Sequence, residues 1–491
     1  MKKNFFIRIA AGFLALLMLA AALVACADKP GEGENTTAAQ AGSESKPNET
    51  TASIYDENGY LLDKLPEKMN LGGDISLLYW SDVENTEFEV LETTGDLVEN
   101  AIFKRDLNVQ DRLGVTIVYS STPGNNNNNA AYTNYVKNAI NNGDTIDIFA
   151  SYSMTTANIA TLGLAENLLE YKSMDFTAPW WPADLINETT INNKLFFCSG
   201  DISTNLLYMM YTVFFNKSII SDFNLESPYD LVAANEWTFE KFMEMANTVC
   251  DTSNVGSSEY IYGFNTTSAV HVDPFFYGAG LRTLERGEDG TPVISDSWHS
   301  EKTESVIAGA NAFLTSAASV TSTPDVFLTN RSLFTMSRAV YAKNSLANAD
   351  VEFGIAVTPK YDKEQENYAT CLAFPASLYG ISTSSQRKED ASVVLEALAS
   401  EGYRTVTPML FEVSLKSKYA QDSETGKMFD LIRETVVFDL GRLYTTVFNK
   451  RTYQLFRNAM VAATYTSYSS LFKAESKQMD SYLKNLLKSF E

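Results

Sequence analysis

The sequence predicts an α/β protein whose folded part divides into two lobes, each built on a doubly wound parallel sheet. Three observations predict this. Short apolar runs of strand character alternate with helical-period segments, the pattern of a parallel sheet wound on both faces by helices. The theme starts near residue 75 and is taken up again near residue 206. The stretch from residue 54 to 491 also exceeds what one hydrophobic core comfortably fills.

Before that stretch lies a different kind of segment. Lys2, Lys3 and Arg8 are followed by an uncharged run over residues 9–25 that ends Leu23-Val24-Ala25-Cys26. A basic start, an apolar centre and small residues at a cut make a secretory signal peptide. The run is shorter than the ~20 residues of a spanning helix. The cysteine at the cut resembles the bacterial lipobox, which implies diacylation of Cys26 as the new N-terminus, with residues 1–25 removed. Residues 27–53 have no aromatic side chain and are rich in Ala, Gly, Ser, Thr, Glu, Asn and Pro. Such a composition cannot bury enough surface to offset its ordering entropy, so residues 26–53 read as a lipidated cysteine on a flexible linker.

Loss of the leader removes three of the 38 basic residues and none of the 61 acidic ones, leaving 35 against 61 and a balance of −26. That excess repels phosphate backbones and argues against nucleic acid as a partner. The remaining cysteines, Cys198, Cys250 and Cys371, are odd in number and widely spaced, so neither a zinc knuckle nor a disulfide framework is indicated. Buried thiols, with one disulfide open as an alternative, are the expectation.

The first strand spans residues 75–79, delivered by the turn Gly72-Gly73-Asp74. Val98, Ile102, Val109 and Leu113 recur at helical spacing, and Gly114 supplies a stop. A strand over 115–119, a loop containing the Asn run 125–129, a helix marked by Tyr132, Val136 and Ile140, and a strand over 146–150 complete the first unit. Its carboxyl ends, where ligands of such sheets sit, are Trp80-Ser81-Asp82 and Ser151-Tyr152-Ser153. Residues 206–215 then form a long apolar run. Thr238 caps a helix reaching about Cys250, with Trp237 stapled onto Phe242. Another helix covers 301–315, strands fall near 333–336, 353–357 and 378–382, and helices cover 391–399 and the C-terminus through Met479, Leu483, Leu486 and Phe490.

Three stretches carry a resemblance to a known family. They are Phe214-Phe215-Asn216-Lys217 with Trp237-Thr238-Phe239 beyond it, Phe264-Asn265 with Asp273-Pro274-Phe275-Phe276 and Gly280, and Leu378-Tyr379-Gly380-Ile381-Ser382-Thr383 before the helix at 389–399. In order and spacing they resemble the family 1 extracellular solute-binding proteins, the maltose-binding type that serves ATP-driven sugar importers. The resemblance implies a periplasmic-binding-protein-like fold of type II, two doubly wound α/β lobes joined by crossing hinge strands. Carried over, the N-lobe holds 69–207 and 380–436, the C-lobe 208–379 and 445–491, with a third crossing near 438–444. It also implies a monomeric, lipid-anchored receptor on the extracellular face of the cell membrane, which gives a carbohydrate, an oligosaccharide, to the permease of an ABC transporter. No cofactor and no metal are implied.

A sugar offers an apolar C–H face and a rim of hydroxyls, so its site wants aromatic rings beside charged or amide partners. With 25 Tyr, 29 Phe and 5 Trp, aromatic number discriminates nothing and position must decide. Trp80 and Asp82, at a strand's carboxyl end, read as ring platform and hydroxyl acceptor, or else as a buried Trp and a turn cap. Tyr152 ends the third strand. Asp201 follows Gly200 near the first crossing, as ligand contact or as a cap. His271 falls where the resemblance puts a ligand-contacting segment. Ser337 and Arg338 follow a strand end from which the family presents an aromatic; a guanidinium there can fork two hydroxyls or a carboxylate, or form a surface ion pair. Trp180 and Trp181 either roof a cleft or pin a loop, and Trp298 is assigned to the surface.

Catalysis has little support. Only His271 and His299 are present, without a His-Glu-x-x-His, Gly-x-Ser-x-Gly or phosphate-loop motif. A secreted glycoside hydrolase, needing only two carboxylates, and a surface adhesion protein without a small ligand are the alternatives.

Overall fold

The computed structural model describes residues 53–322, 324–419 and 422–491. The leader, Cys26 and nearly all of the linker lie outside the described residues. In chain order the first strands are β1 (Asp74–Trp80), β2 (Thr116–Thr122), β3 (Ile148–Tyr152), β4 (Tyr211–Asn216), β5 (Tyr262–Thr266) and β6 (Leu284–Arg286). There follow β7 (Pro292–Ile294), β8 (Ser319–Thr321), β9 (Ser332–Arg338), β10 (Phe353–Ala356), β11 (Thr370–Cys371), β12 (Ser377–Ile381) and β13 (Val436–Val437). Two larger sheets organise them, one in the order β12-β3-β1-β2 and the other β10-β4-β9-β5-β8.

In the first sheet β2 and β3 flank β1 and run parallel to it, while β12 returns antiparallel to β3. Because β2 and β3 lie on opposite sides of β1, right-handed crossovers put their connecting helices on opposite faces of the sheet. Helix Leu97–Leu113 starts at Asp96, whose carboxylate accepts from the Val98 and Glu99 amides. It stops at Gly114, in the left-handed region at φ 60°. The second sheet is mixed: β5 is parallel to β8 and β9, and β4 is antiparallel to β9 and β10. Helix Phe239–Thr248 covers it, capped by the Thr238 hydroxyl and stapled by Trp237 edge-on to Phe242 at 5.9 Å.

The sequence differs from the structure at several points. The second and third strands begin one and two residues later than periodicity suggests. Val115 still bonds the end of the preceding helix through Gln110, and the Asp147 carboxylate is turned onto Ser76. The apolar run near 206 splits into helix Thr204–Tyr208 and β4. Trp298 is not on the surface: it is 0% exposed, edge-on to Phe472 of the closing helix at 5.2 Å. Trp180 and Trp181 pack in the interior, both indoles donating to Glu396. The three described cysteines are unpaired.

The passages between the two sheets lie side by side. Met210, just before β4, bridges Leu372, and β11 pairs in parallel with β13. No helix among the described residues is long and apolar enough to cross a membrane.

Candidate functional site

Strand ends of both sheets meet at one place. Trp80 closes β1, Tyr152 closes β3 and Arg338 closes β9, while β4 and β12 begin beside them, with Tyr211 opposite Arg338 and Ser377 opposite Tyr152. Open α/β sheets bind ligands at such ends.

Trp80 is a packed wall, not an open platform. It is 1% exposed, its Nε1 donates to Ser377 Oγ at 3.0 Å, and its ring meets Tyr152 edge-on at 5.5 Å. Ser377 in turn donates to Glu87, a fully buried carboxylate that also accepts from Tyr379 at 2.5 Å and from the Asn205 amide at 3.2 Å. Burial raises the Glu87 pKa against these bonds. Tyr152 continues the aromatic wall, stacked on Phe374, which meets Tyr453.

Against this wall packs a charged cluster. Arg338 Nη1 is 2.6 Å from Glu84, a residue of the loop after β1, so the ion pair ties one sheet to the other. Arg338 Nε is buried and has no hydrogen-bond partner among the described residues. His271 lies edge-on to Tyr211 at 5.9 Å, and its ring nitrogens have no hydrogen-bond partner among the described residues. Burial first, and then the Arg338 charge, push its pKa down to about 4, so it is neutral at pH 7. Asp273, 0% exposed, takes Arg457 through two nitrogens and Arg442 Nη1 at 2.8 Å. Burial opposes its ionisation, but Arg457 and Arg442 outweigh burial and hold its pKa below the ordinary value. The Arg442 guanidinium also lies 3.8 Å from the Phe374 ring centre, and that of Arg457 4.3 Å from Tyr453.

Of the sequence-predicted residues, Trp80, Tyr152, His271 and Arg338 come together here. Ser337 does not share their direction: successive strand side chains point to opposite faces, and Ser337 is buried opposite Thr212. The Asp82 carboxylate is spent on the neighbouring loop, accepting from the Gly124 and Asn125 amides and from Asn128 Nδ2. The Asn run thus has a local role. Asp201 is elsewhere, lining a cavity of about 470 Å³ beside the crossings with Leu206, Met210 and Arg433. It accepts from Thr407 at 2.6 Å, and burial pushes its pKa up to about 6. Sequence reasoning missed Glu84, Tyr211, Phe374, Asp273, Arg442, Tyr453 and Arg457. Asp273 lies inside a quoted motif, but its two arginines are 169 and 184 residues away, and no local pattern marks such a pairing.

No family model matches this sequence, and no curated protein is detectably similar to it in sequence. Solved structures are similar to it in shape. The cyclic α-maltosyl-1,6-maltose binding protein of Arthrobacter globiformis aligns over 84% of this chain and 99% of its own, with a TM-score of 0.58 at 14% identity. The galacto-N-biose/lacto-N-biose I-binding protein of the Bifidobacterium longum ABC transporter, in complex with lacto-N-biose, covers 84% and 97%, with a TM-score of 0.57 at 12% identity. An ABC substrate-binding protein of Listeria monocytogenes, in complex with cycloalternan, covers 85% and 99%, with a TM-score of 0.52 at 13% identity. The fold is that of the type II solute-binding proteins.

Proposed function

We propose that this chain is the solute-binding receptor of an ABC importer, that it captures a carbohydrate, an oligosaccharide, between its lobes, and that it releases it unchanged to a membrane permease. One observation carries the reading. Trp80 and Tyr152 of the first sheet, with Phe374 and Tyr453 beside them, converge with Arg338 and His271 from the second, and Arg338 Nε has no hydrogen-bond partner among the described residues. Rings suit the C–H face of a sugar, and fixed donors and acceptors suit its hydroxyls, directly or through water. The similar structures support the choice of ligand class, because their names specify cycloalternan, a cyclic maltosyl-maltose and lacto-N-biose.

The lobes of this reading are 69–207 with 380–436 and 208–379 with 445–491, except that β12, from Ser377, pairs with β3 and so moves the second boundary from 379 to before 377; they close on the ligand by hinge motion at the adjacent crossings. Tyr152, His271 and Arg338 contact the ligand, Trp80 backs Tyr152, and Phe374 and Tyr453 extend the wall. Cys26 is diacylated after removal of residues 1–25, and residues 27–53 tether a monomer to the extracellular face of the cell membrane. Neither metal nor nucleotide takes part, and there is no turnover.

A thermal-shift screen against linear and cyclic oligosaccharides tests this reading. Saturation at 100 times Kd adds about 2.7 kcal/mol to stability, so a bound sugar raises Tm in a concentration-dependent way and is recovered intact. Hydrolysis of the sugar, or no shift across the panel, contradicts the reading.

A further inference from the structure

The guanidiniums of a strongly acidic chain gather at the cleft. In a protein with a balance of −26 after leader removal, Arg338, Arg442 and Arg457 stand there with three carboxylates, Glu84, Asp273 and, behind Arg442, Asp439. Their roles differ. Asp273 is fully buried and engaged by both Arg442 and Arg457, so this trio is a fixed unit of net +1. Arg338 is held loosely by comparison. Its side chain is 21% exposed, and the carboxylate it meets, Glu84, is 38% exposed on a loop. Its Nη1 meets Glu84 and Met209 Sδ, while its buried Nε is unpaired. An unpaired buried donor is costly, and a guanidinium fork is best satisfied by a bidentate carboxylate. Glu84, the more exposed partner, can return to water when another carboxylate takes its place. Tyr152, backed by Phe374, stands nearby for a sugar ring.

Resting on the receptor reading above, we propose that the solute is an acidic saccharide, in which a uronate carboxylate displaces Glu84 from Arg338. The remaining polar groups then serve hydroxyls: the Tyr152 hydroxyl has no hydrogen-bond partner among the described residues, and neutral His271 offers one donor and one acceptor. The Asp273 trio stays intact.

The test is calorimetric titration of the protein with tri-galacturonate and with maltotriose, matched in ring number, in wild type and two variants. In wild type the uronide binds at least 10-fold more tightly than the neutral trisaccharide. Glu84→Gln removes the competing carboxylate and raises that ratio a further fivefold or more. Arg338→Gln brings the ratio to about one. Raising NaCl from 0.05 to 0.5 M weakens uronide binding and not neutral binding, a readout in wild type that needs no variant. Equal or tighter binding of the neutral sugar, or a ratio unmoved in both variants, overturns the inference and leaves the receptor reading standing. Binding of neither sugar overturns the inference, and failure of the wider thermal-shift panel as well overturns the parent reading.

Discussion

Glu396 lies on helix Lys388–Arg404, 1% exposed, where it accepts the indole N–H groups of Trp180 and Trp181 at 3.2 and 2.9 Å. Burial is the dominant influence and pushes its pKa from the ordinary 4.5 up to about 7 despite those bonds. The folded chain therefore keeps a proton that the unfolded chain has already lost. The stability associated with this proton is fully present below pH 4.5 and is lost as pH rises to about 7, a fall on the order of 3 kcal/mol. Asp201, pushed up to about 6, acts in the same direction over a lower window. Glu396→Gln should thus be less stable than wild type at pH 5 and should lose its disadvantage by pH 8; a constant difference in urea midpoint across that range excludes Glu396 as the titrating group. At the site, Trp80→Ala empties a packed position and costs about 3–5 kcal/mol in stability, so it reports on folding before it reports on binding. Tyr152→Phe keeps the packing and removes only the hydroxyl. It should weaken saccharide binding several-fold with Tm of the free protein within a few degrees, as calorimetry can check.

Elements were legible where their cause is local. Helix Phe239–Thr248 could be read from Trp237, Thr238 and Phe242 because cap and staple are fixed by neighbours in sequence. Thr238→Ala should cost about 1 kcal/mol. Less legible was how closely this helix approaches its sheet. A Cβ on Gly263 in β5 would sit 2.1 Å from the carbonyl oxygen of Ala246, a backbone atom that cannot give way. Gly263→Ala should therefore destabilise by about 3 kcal/mol or more, within the range of overpacked cores, and a denaturant midpoint close to wild type contradicts that close approach. Trp298 was misplaced for the same reason: its cover, Phe472, comes from a helix more than 150 residues later, and nothing near Trp298 announces it. The apolar run near 206 shows a third limit, since apolarity alone does not tell a short buried helix from the strand that follows it.

At the scale of the whole molecule the alternation of strands and helices predicted the α/β architecture, whereas the motif at 378–383, read as a crossing, falls largely within β12 of the first sheet. The half of the candidate site at strand ends was open to sequence reasoning, through Tyr152 and Arg338, because topology fixes where ends must gather; His271, on the turn Ala269–Val272, entered through the family resemblance. The other half was not. Asp273 with Arg442 and Arg457, and Glu84 with Arg338, are pairs between distant stretches, visible only once both sheets stand together. In the proposed receptor the adjacent passages, Met210 bridged antiparallel to Leu372 and β11 paired in parallel with β13, serve as the hinge. Small-angle scattering during a saccharide titration, with the saccharide that gives the largest thermal shift, tests that account most directly. It predicts a saturable change in radius of gyration that follows occupancy and, in Arg338→Gln, moves to higher saccharide concentration in step with weakened binding. Tight binding with a scattering curve identical at every concentration, and equally tight in Arg338→Gln, would place the ligand outside the hinged cleft and contradict the account.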